Sequence, residues 1–120
     1  MNSVTSPTGR KTASSQIQSR VRDIQEATRG VTAQYPRSYI LQCIKEDRFP
    51  DELWQALGKF GLLGLSIPED HGGSGGGVLE ITALNEALAL AGEATLFLVV
   101  TGLGRVASLR HGTLEQRKKY

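Results

Sequence analysis

Cysteine occurs once in the 120 residues, at Cys43, so no disulfide can close within the chain and no thiolate metal site at ligand spacing can form. Its neighbours Ile40, Leu41 and Ile44 are apolar, which points to a packing role in a reducing compartment. Histidine is almost as scarce: His71 and His111 stand forty positions apart with no cluster of carboxylates at ligand spacing, so no metal is expected. No apolar run reaches the about twenty residues that a membrane span needs. The most apolar segment, from Ala94 to Leu109, carries Thr101, Gly102, Gly104 and Arg105. Aromatics are few, with one Trp, three Tyr and three Phe, and the net charge of +2 comes from the two ends, Arg10, Lys11, Arg20 and Arg22 against Arg117, Lys118 and Lys119. A nucleic-acid surface needs a basic stripe with interleaved aromatics, and none is present. No acid precedes Asp23, yet the first segment also lacks the apolar core of a secretory signal, and a cytoplasmic protein with a frayed tail is expected.

What is there reads as helix. Residues Met1 to Ala13 are small and polar, with Pro7 and Gly9, and are expected to form a disordered tail. From Ser14 or Ser15 to Arg29, the positions Ile17, Val21 and Ile24 recur at helical spacing, and Gly30 is the expected stop. Tyr35-Pro36-Arg37 fixes a turn, a short helix follows through Tyr39, Ile40, Cys43 and Ile44, and Lys45 to Arg48 read as a loop. Phe49-Pro50-Asp51-Glu52 opens the next helix, with acids where the helix dipole favours them. Its inner face is expected to be Leu53, Trp54, Leu57 and Phe60. Val78 to Ala91 reads as an amphipathic helix with Ile81, Leu84, Leu88 and Ala91 on one side and Glu80 and Asn85 off it. Ala94 to Leu109 is apolar nearly all round, as in a helix covered by protein on most sides. Thr113-Leu114-Glu115-Gln116 has the capping-box pattern and starts a last helix. With no strand pattern or repeat, the expected fold is all-α, a small bundle of about five to six helices over residues 14–120.

The loop Glu69-Asp70-His71-Gly72-Gly73-Ser74-Gly75-Gly76-Gly77 invites a phosphate-binding reading, but its spacing fits neither the dinucleotide fingerprint nor a P-loop. So many glycines mean either backbone geometry that other residues resist or flexibility. Glu69 and Asp70 have no nucleophile or base near them in sequence, and no catalytic residue is assigned.

The order of motifs is more informative than any single one. Phe49-Pro50-Asp51-Glu52-Leu53-Trp54, then Leu57-Gly58-Lys59-Phe60-Gly61-Leu62-Leu63-Gly64-Leu65, then Ile67-Pro68-Glu69-Asp70-His71-Gly72-Gly73-Ser74-Gly75 resembles the N-terminal domain of the acyl-CoA dehydrogenase family. That family has a Phe-Pro start, a Leu-Gly-x-x-Gly-Leu run and an Ile-Pro-Glu-x-x-Gly-Gly-x-Gly loop. Asn85-Glu86-Ala87-Leu88-Ala89 is similar to its Glu-Glu-Leu-Ala segment, and His111 to Tyr120 to its Gly-Thr-x-x-Gln-(Lys/Arg)-x-x-Tyr element. Two positions depart from the pattern: Asn85 replaces a Glu, and Gly75 to Gly77 replace a run that normally includes a larger residue.

The resemblance implies an all-α domain beside a β-barrel and a C-terminal four-helix bundle in a homotetramer or dimer, with an acyl-CoA substrate and an electron-transfer partner. It implies an FAD-dependent oxidoreductase in which a carboxylate takes the α-proton and the β-hydrogen leaves as hydride to the flavin, the redox step being the cofactor's. By the same analogy the carboxylate and most flavin contacts belong to segments outside these 120 residues, so the isolated chain is expected to be inactive. The resemblance assigns a wall of the acyl pocket to Thr95, Leu96, Val99, Val100 and Leu103, and the spacing of the last four suits one helix face. The alternative is a stand-alone helical interaction module derived from that family.

Overall fold

The computed structural model describes residues 12–93 and 96–119. Residues 1–11 of the expected tail, Ala94, Thr95 and Tyr120 lie outside the described residues. Among those described there are six α-helices and no strand: α1 Ala13–Thr32, α2 Arg37–Lys45, α3 Asp51–Lys59, α4 Val78–Leu90, α5 Leu96–His111 and α6 Leu114–Lys119. The all-α expectation holds, and the helix number agrees.

Thr12 caps α1, its Oγ1 accepting from the Ser15 N–H at 3.2 Å. Gly30 does not end this helix, contrary to the sequence reading; α1 continues to Thr32. A glycine inside a helix costs about 1 kcal/mol relative to alanine. Here the turn around it carries Thr28, Val31 and Thr32, all buried, and their packing outweighs that local cost. The Thr28 hydroxyl is satisfied at 2.7 Å by the Ile24 carbonyl one turn back.

Pro36 and Pro50 each sit just before a helix, where the missing N–H removes no bond. Ile40 and Cys43 of α2 are buried, as the apolar surroundings of the thiol suggested, whereas Ile44 is exposed. In α3, Leu53 and Leu57 are wholly enclosed and Trp54 is half-buried against the edge of Phe49. Phe60 is a correction: it is 62% exposed. It stands at the C-cap, where the chain leaves the helix for the left-handed Gly61 and the periodicity that would turn it inward no longer applies. The α2–α3 corner is tied by the Tyr39 hydroxyl donating to Glu52 and by Arg48 pairing with Glu46 at 2.7 Å and Glu52 at 3.0 Å. The Tyr39 bond is the first reason that the Glu52 carboxyl falls to about 2.

The glycine-rich loop is closed, not slack. Consecutive N–H groups of Gly73, Ser74, Gly75 and Gly76 donate to the carbonyls of Pro68, Gly64, Ile67 and Leu65, at 2.7 to 3.1 Å. The close approach explains the composition: a Cβ on Gly73 would lie 2.0 Å from the Ile67 carbonyl oxygen, and one on Gly76 2.6 Å from that of Leu65. Of the two readings open in the sequence, backbone geometry is the one realised.

Helix α4 packs chiefly along α1, with α3 against α1, around a core of Ile24, Val31, Ile40, Leu53, Leu57, Leu62, Leu65, Ala83, Leu84, Leu88 and Leu98. Glu80 lies on the buried side of α4, where periodicity alone would not place it. Its carboxylate accepts from the Gly77 N–H at 2.7 Å and pairs with Arg20 at 3.3 Å. It thus supplies the acidic half of a capping box, while Gly77 has no side chain to return the other bond. The Gly77 N–H, ahead of other backbone donors and Arg20, holds the Glu80 carboxyl below its ordinary value of 4.5.

A carboxyl with a lowered folded-state pKa contributes its full stability above the ordinary value and loses it as pH falls through the lowered one. Glu80→Gln is therefore expected to cost about 1 kcal/mol at neutral pH, the usual worth of a helix cap. Urea titrations of both proteins should converge as the pH drops below that of the wild-type carboxyl. A constant gap across that window would show that the difference does not come from ionisation of the Glu80 carboxyl.

At its other end α4 closes in a Schellman motif: Gly92 is left-handed, its N–H donates to Ala89 O at 3.0 Å, and the Glu93 N–H donates to Leu88 O at 3.0 Å. The capping box expected at Thr113 is present. The Thr113 N–H donates to Gln116 Oε1 at 2.9 Å, and the Gln116 N–H to Thr113 Oγ1 at 3.2 Å.

Candidate functional site

Helix α5 sorts its apolar residues in an unusual way. Leu98 turns into the core and is buried, but Val99, Val100, Leu103 and Val106 are exposed, Leu103 to 68%. A helix apolar on nearly every side buries all of them when protein surrounds it. Here the covering expected from the sequence is present on the Leu98 side and missing on the other. No helix among the described residues is long and apolar enough to cross a membrane.

Between α4, the segment Leu62 to Ser66 and α5 runs a groove of about 510 Å³, within the range of small-molecule sites. Ile81 and Leu84 of α4 form one side, and Leu98, Val99, Leu103 and Val106 of α5 the other. Of the five residues assigned to an acyl wall, Val99 and Leu103 line this groove. Val100 is on the exposed side of α5 but is not among the lining residues. Leu96 opens α5, although its side chain lies outside what is described, and Thr95 lies outside the described residues.

Two polar side chains interrupt the apolar lining, Asn85 from α4 and Arg105 from α5. Arg105 Nη1 donates to the Leu63 carbonyl and ties α5 to the connector. Burial pulls the guanidinium pKa down from its ordinary value, and the group remains a cation. Its Nε and the Asn85 Oδ1 are both buried without a hydrogen-bond partner. Neither residue was singled out from sequence as a site residue. The signals were there: Asn85 is where the chain departs from the Glu-Glu pattern, and Arg105 is the charge inside the apolar run.

The glycine loop offers no cradle for a phosphate. From Gly72 to Gly77 each backbone N–H already donates within the chain, the last of them to Glu80. A flavin diphosphate would need those donors free, so this loop does not fit FAD. Both histidines are exposed, and no group of three metal-ligating side chains occurs among the described residues.

Comparison with known proteins adds an independent line. Residues 18–120 match the family described as acyl-CoA dehydrogenase, N-terminal domain. The chain is 33% identical over 98 residues to an acyl-CoA dehydrogenase of Mycobacterium tuberculosis, covering 81% of this chain and 25% of that protein. An acyl-CoA dehydrogenase of Bacillus subtilis is 37% identical over 78 residues, covering 63% of this chain and 21% of the relative. A mitochondrial isovaleryl-CoA dehydrogenase of Solanum tuberosum is 38% identical over 76 residues, covering 60% and 18%. The chain spans about a quarter of the length of the first of these relatives. No solved structure matches it.

Proposed function

The chain belongs to the acyl-CoA dehydrogenase family, matching its N-terminal domain over residues 18–120, and from that premise we propose that it forms one wall of the acyl pocket of an FAD-dependent enzyme that introduces a double bond into an acyl-CoA thioester. The observation that carries this reading is the bare apolar flank of α5, with Val99 and Leu103 facing a groove of about 510 Å³. An alkyl chain laid along that flank removes apolar surface of both partners from water, at about 25 cal/mol per Å². Thr95, Leu96 and Val100 complete the proposed wall by their place on the same helix or just before it.

The domain's contribution is binding and positioning. The closed glycine loop leaves flavin binding to other segments of the enzyme, and with it the redox step. Those segments would also hold the carboxylate base, and the enzyme would be a homo-oligomer that passes electrons to a partner protein. The lone buried Cys43 suits a cytoplasmic enzyme.

In the enzyme that carries this domain, Leu103→Trp is expected to lower kcat/KM for its acyl-CoA at least about tenfold, chiefly through KM, because uniform binding is what a pocket wall supplies. Leu90→Trp, on an 81% exposed position of α4, serves as the control and should leave the kinetics unchanged. Equal kinetics for the two variants would remove the pocket-wall assignment. The 120-residue chain by itself is expected to purify without yellow flavin and to reduce no dye with any acyl-CoA. Stoichiometric FAD on that chain would count against the division of labour proposed here.

A further inference from the structure

We propose that the cleft bordered by Ile67, His71, the end of α5 and α6 binds the phosphoryl group of a small phosphomonoester. This site is separate from the acyl groove, although Arg105 borders both.

The charge around the cleft has one sign. It encloses about 280 Å³, and Arg105 from α5 meets Arg117, Lys118 and Lys119 from α6 in its lining, with no carboxylate among them. Glu69, Asp70 and Glu115 are near in sequence, yet none of the three lines it. Ion pairs among the described residues belong to Arg20 and Arg48, so Arg105, Arg117 and Lys118 have no carboxylate partner there. The dipole of α6 favours cations in its last turn, which accounts for Arg117, Lys118 and Lys119 without any ligand. It does not account for Arg105, which reaches the same cleft from another helix. Like charges gathered in a concave site raise its potential and draw an anion to it.

The walls are fixed by backbone geometry. A Cβ on Gly112 would lie 2.4 Å from the Ser108 carbonyl oxygen, so a side chain there would push α6 away from α5. The Gly112 N–H donates to that carbonyl at 2.9 Å, and the Thr113–Gln116 capping box fixes the first turn of α6. Arg117 Nε donates to the Gly112 carbonyl at 3.0 Å, which orients the guanidinium and leaves its two terminal nitrogens without a partner among the described residues. Across the cleft, the His71 N–H donates to the Pro68 carbonyl at 3.0 Å. Arg105 is half-buried and tied through Nη1 to the Leu63 carbonyl, so its charge stays beside the cleft and is poorly screened.

A phosphoryl dianion matches this set better than a carboxylate, because it brings about twice the charge and three acceptor oxygens. The terminal nitrogens of Arg117 suit two of those oxygens, Lys118 adds a point charge, and Ser108, also in the lining, adds a hydroxyl donor. Ile67 and Leu109 give the cleft an apolar side, which suits the carbon body of an ester and not free phosphate. The volume lies just below the usual range of drug-sized ligands, so that body is small.

The test titrates the 120-residue chain with phenyl phosphate, inorganic phosphate and benzoate at about 0.15 M salt, where weak attraction between exposed charges is screened. The reporters are the backbone amides of His71, Ser108 and Lys118 and the Arg117 Nε–H, followed by nitrogen-resolved NMR. Phenyl phosphate is expected to shift all four and to bind at least about tenfold more tightly than benzoate, with inorganic phosphate between them. Lys118→Gln, at an exposed position, should weaken phenyl phosphate about fivefold. Lys59→Gln removes the same charge from the exposed end of α3 and should leave the affinity unchanged. Benzoate binding as tightly as phenyl phosphate, or an equal loss in the two variants, would mean that net charge alone attracts the anion and overturns the site. Inorganic phosphate binding as tightly as phenyl phosphate overturns the assignment to an ester. Unmoved reporters with all three ligands overturn the proposal and leave the acyl-wall reading in place, because none of the four reporter residues lines that groove.

Discussion

Truncating Leu53 to alanine is expected to destabilise the chain by about 4 kcal/mol. Leu53 has no exposed surface and lies in the cluster that joins α1, α3, α4 and the Leu62–Leu65 connector. Removing its branched end leaves a void that several elements border. Leu57, one turn on and equally enclosed, cannot fill it without vacating its own site. A domain of this size is stable by about 5 to 15 kcal/mol, so the loss is a large share of the whole. Urea denaturation should show a lower midpoint with an unchanged slope, since the surface exposed on unfolding stays nearly the same. Leu90→Ala, at an exposed position of α4, is the control and should change the unfolding free energy by less than about 0.5 kcal/mol. A Leu53→Ala protein as stable as that control would show that the core is centred elsewhere.

Gly73→Ala is expected to cost about 3 kcal/mol, although it adds a single methyl group in a surface loop. The new Cβ would lie 2.0 Å from the Ile67 carbonyl oxygen and 2.4 Å from its carbonyl carbon. These are backbone atoms, so no rotamer change can relieve the overlap. The loop would have to open, breaking the bonds from Ser74 to Gly64, Gly75 to Ile67 and Gly76 to Leu65 together. Gly30→Ala makes the opposite case in the same protein. It lies inside α1 with nothing within 4 Å of the added atom, and it should stabilise by about 0.5 to 1 kcal/mol. Hydrogen exchange would locate the first effect: protection of the Gly73–Gly76 amides should fall in Gly73→Ala and be unchanged in Gly30→Ala. Retained protection with full stability would mean that the loop tolerates a wider path than the structure describes.

The contrast between these two glycines also marks where sequence reading reached its limit. Gly30 reads as punctuation at the end of the helical spacing, and Gly73, in the stretch Gly72–Gly77 where four of the other five residues are glycine, reads equally as slack or as required geometry. Local composition does not report that Thr28, Val31 and Thr32 are buried around the first, nor that the Ile67 carbonyl presses on the second. Glu80 is a similar case. Its polarity argued for the outer face of α4, yet the unpaired Gly77 N–H at the helix start draws the carboxylate onto the inner side. Phe60 went the other way, its helical spacing counting for nothing once Gly61 ended the helix in a left-handed turn.

Within the candidate site, the apolar character of α5 was legible from its composition, and Val99 and Leu103 of that helix line the groove. The groove in front of it was not. It depends on α4 and the Leu62–Ser66 connector approaching from segments distant in the chain, and so does the presence of both Asn85 and Arg105 in its lining.

The sequence by itself determined the helical class, the helix starts at Pro36, Pro50 and Thr113, the enclosed Leu53 and Leu57, and the family, while it set the start of α1 at Ser14 or Ser15 where the structure has Thr12 as the cap. These follow from short-range rules: which side chains can cap an N–H, where proline is tolerated, and which residues share a helix face. Tertiary structure alone decided that Gly30 is passed over, that the glycine loop is rigidly closed, that Glu80 faces inward and that α5 leaves Val99 and Leu103 uncovered beside two unmatched polar atoms. Each of those outcomes depends on atoms brought close by the packing of separate elements, and proximity of that kind leaves no pattern in the order of residues.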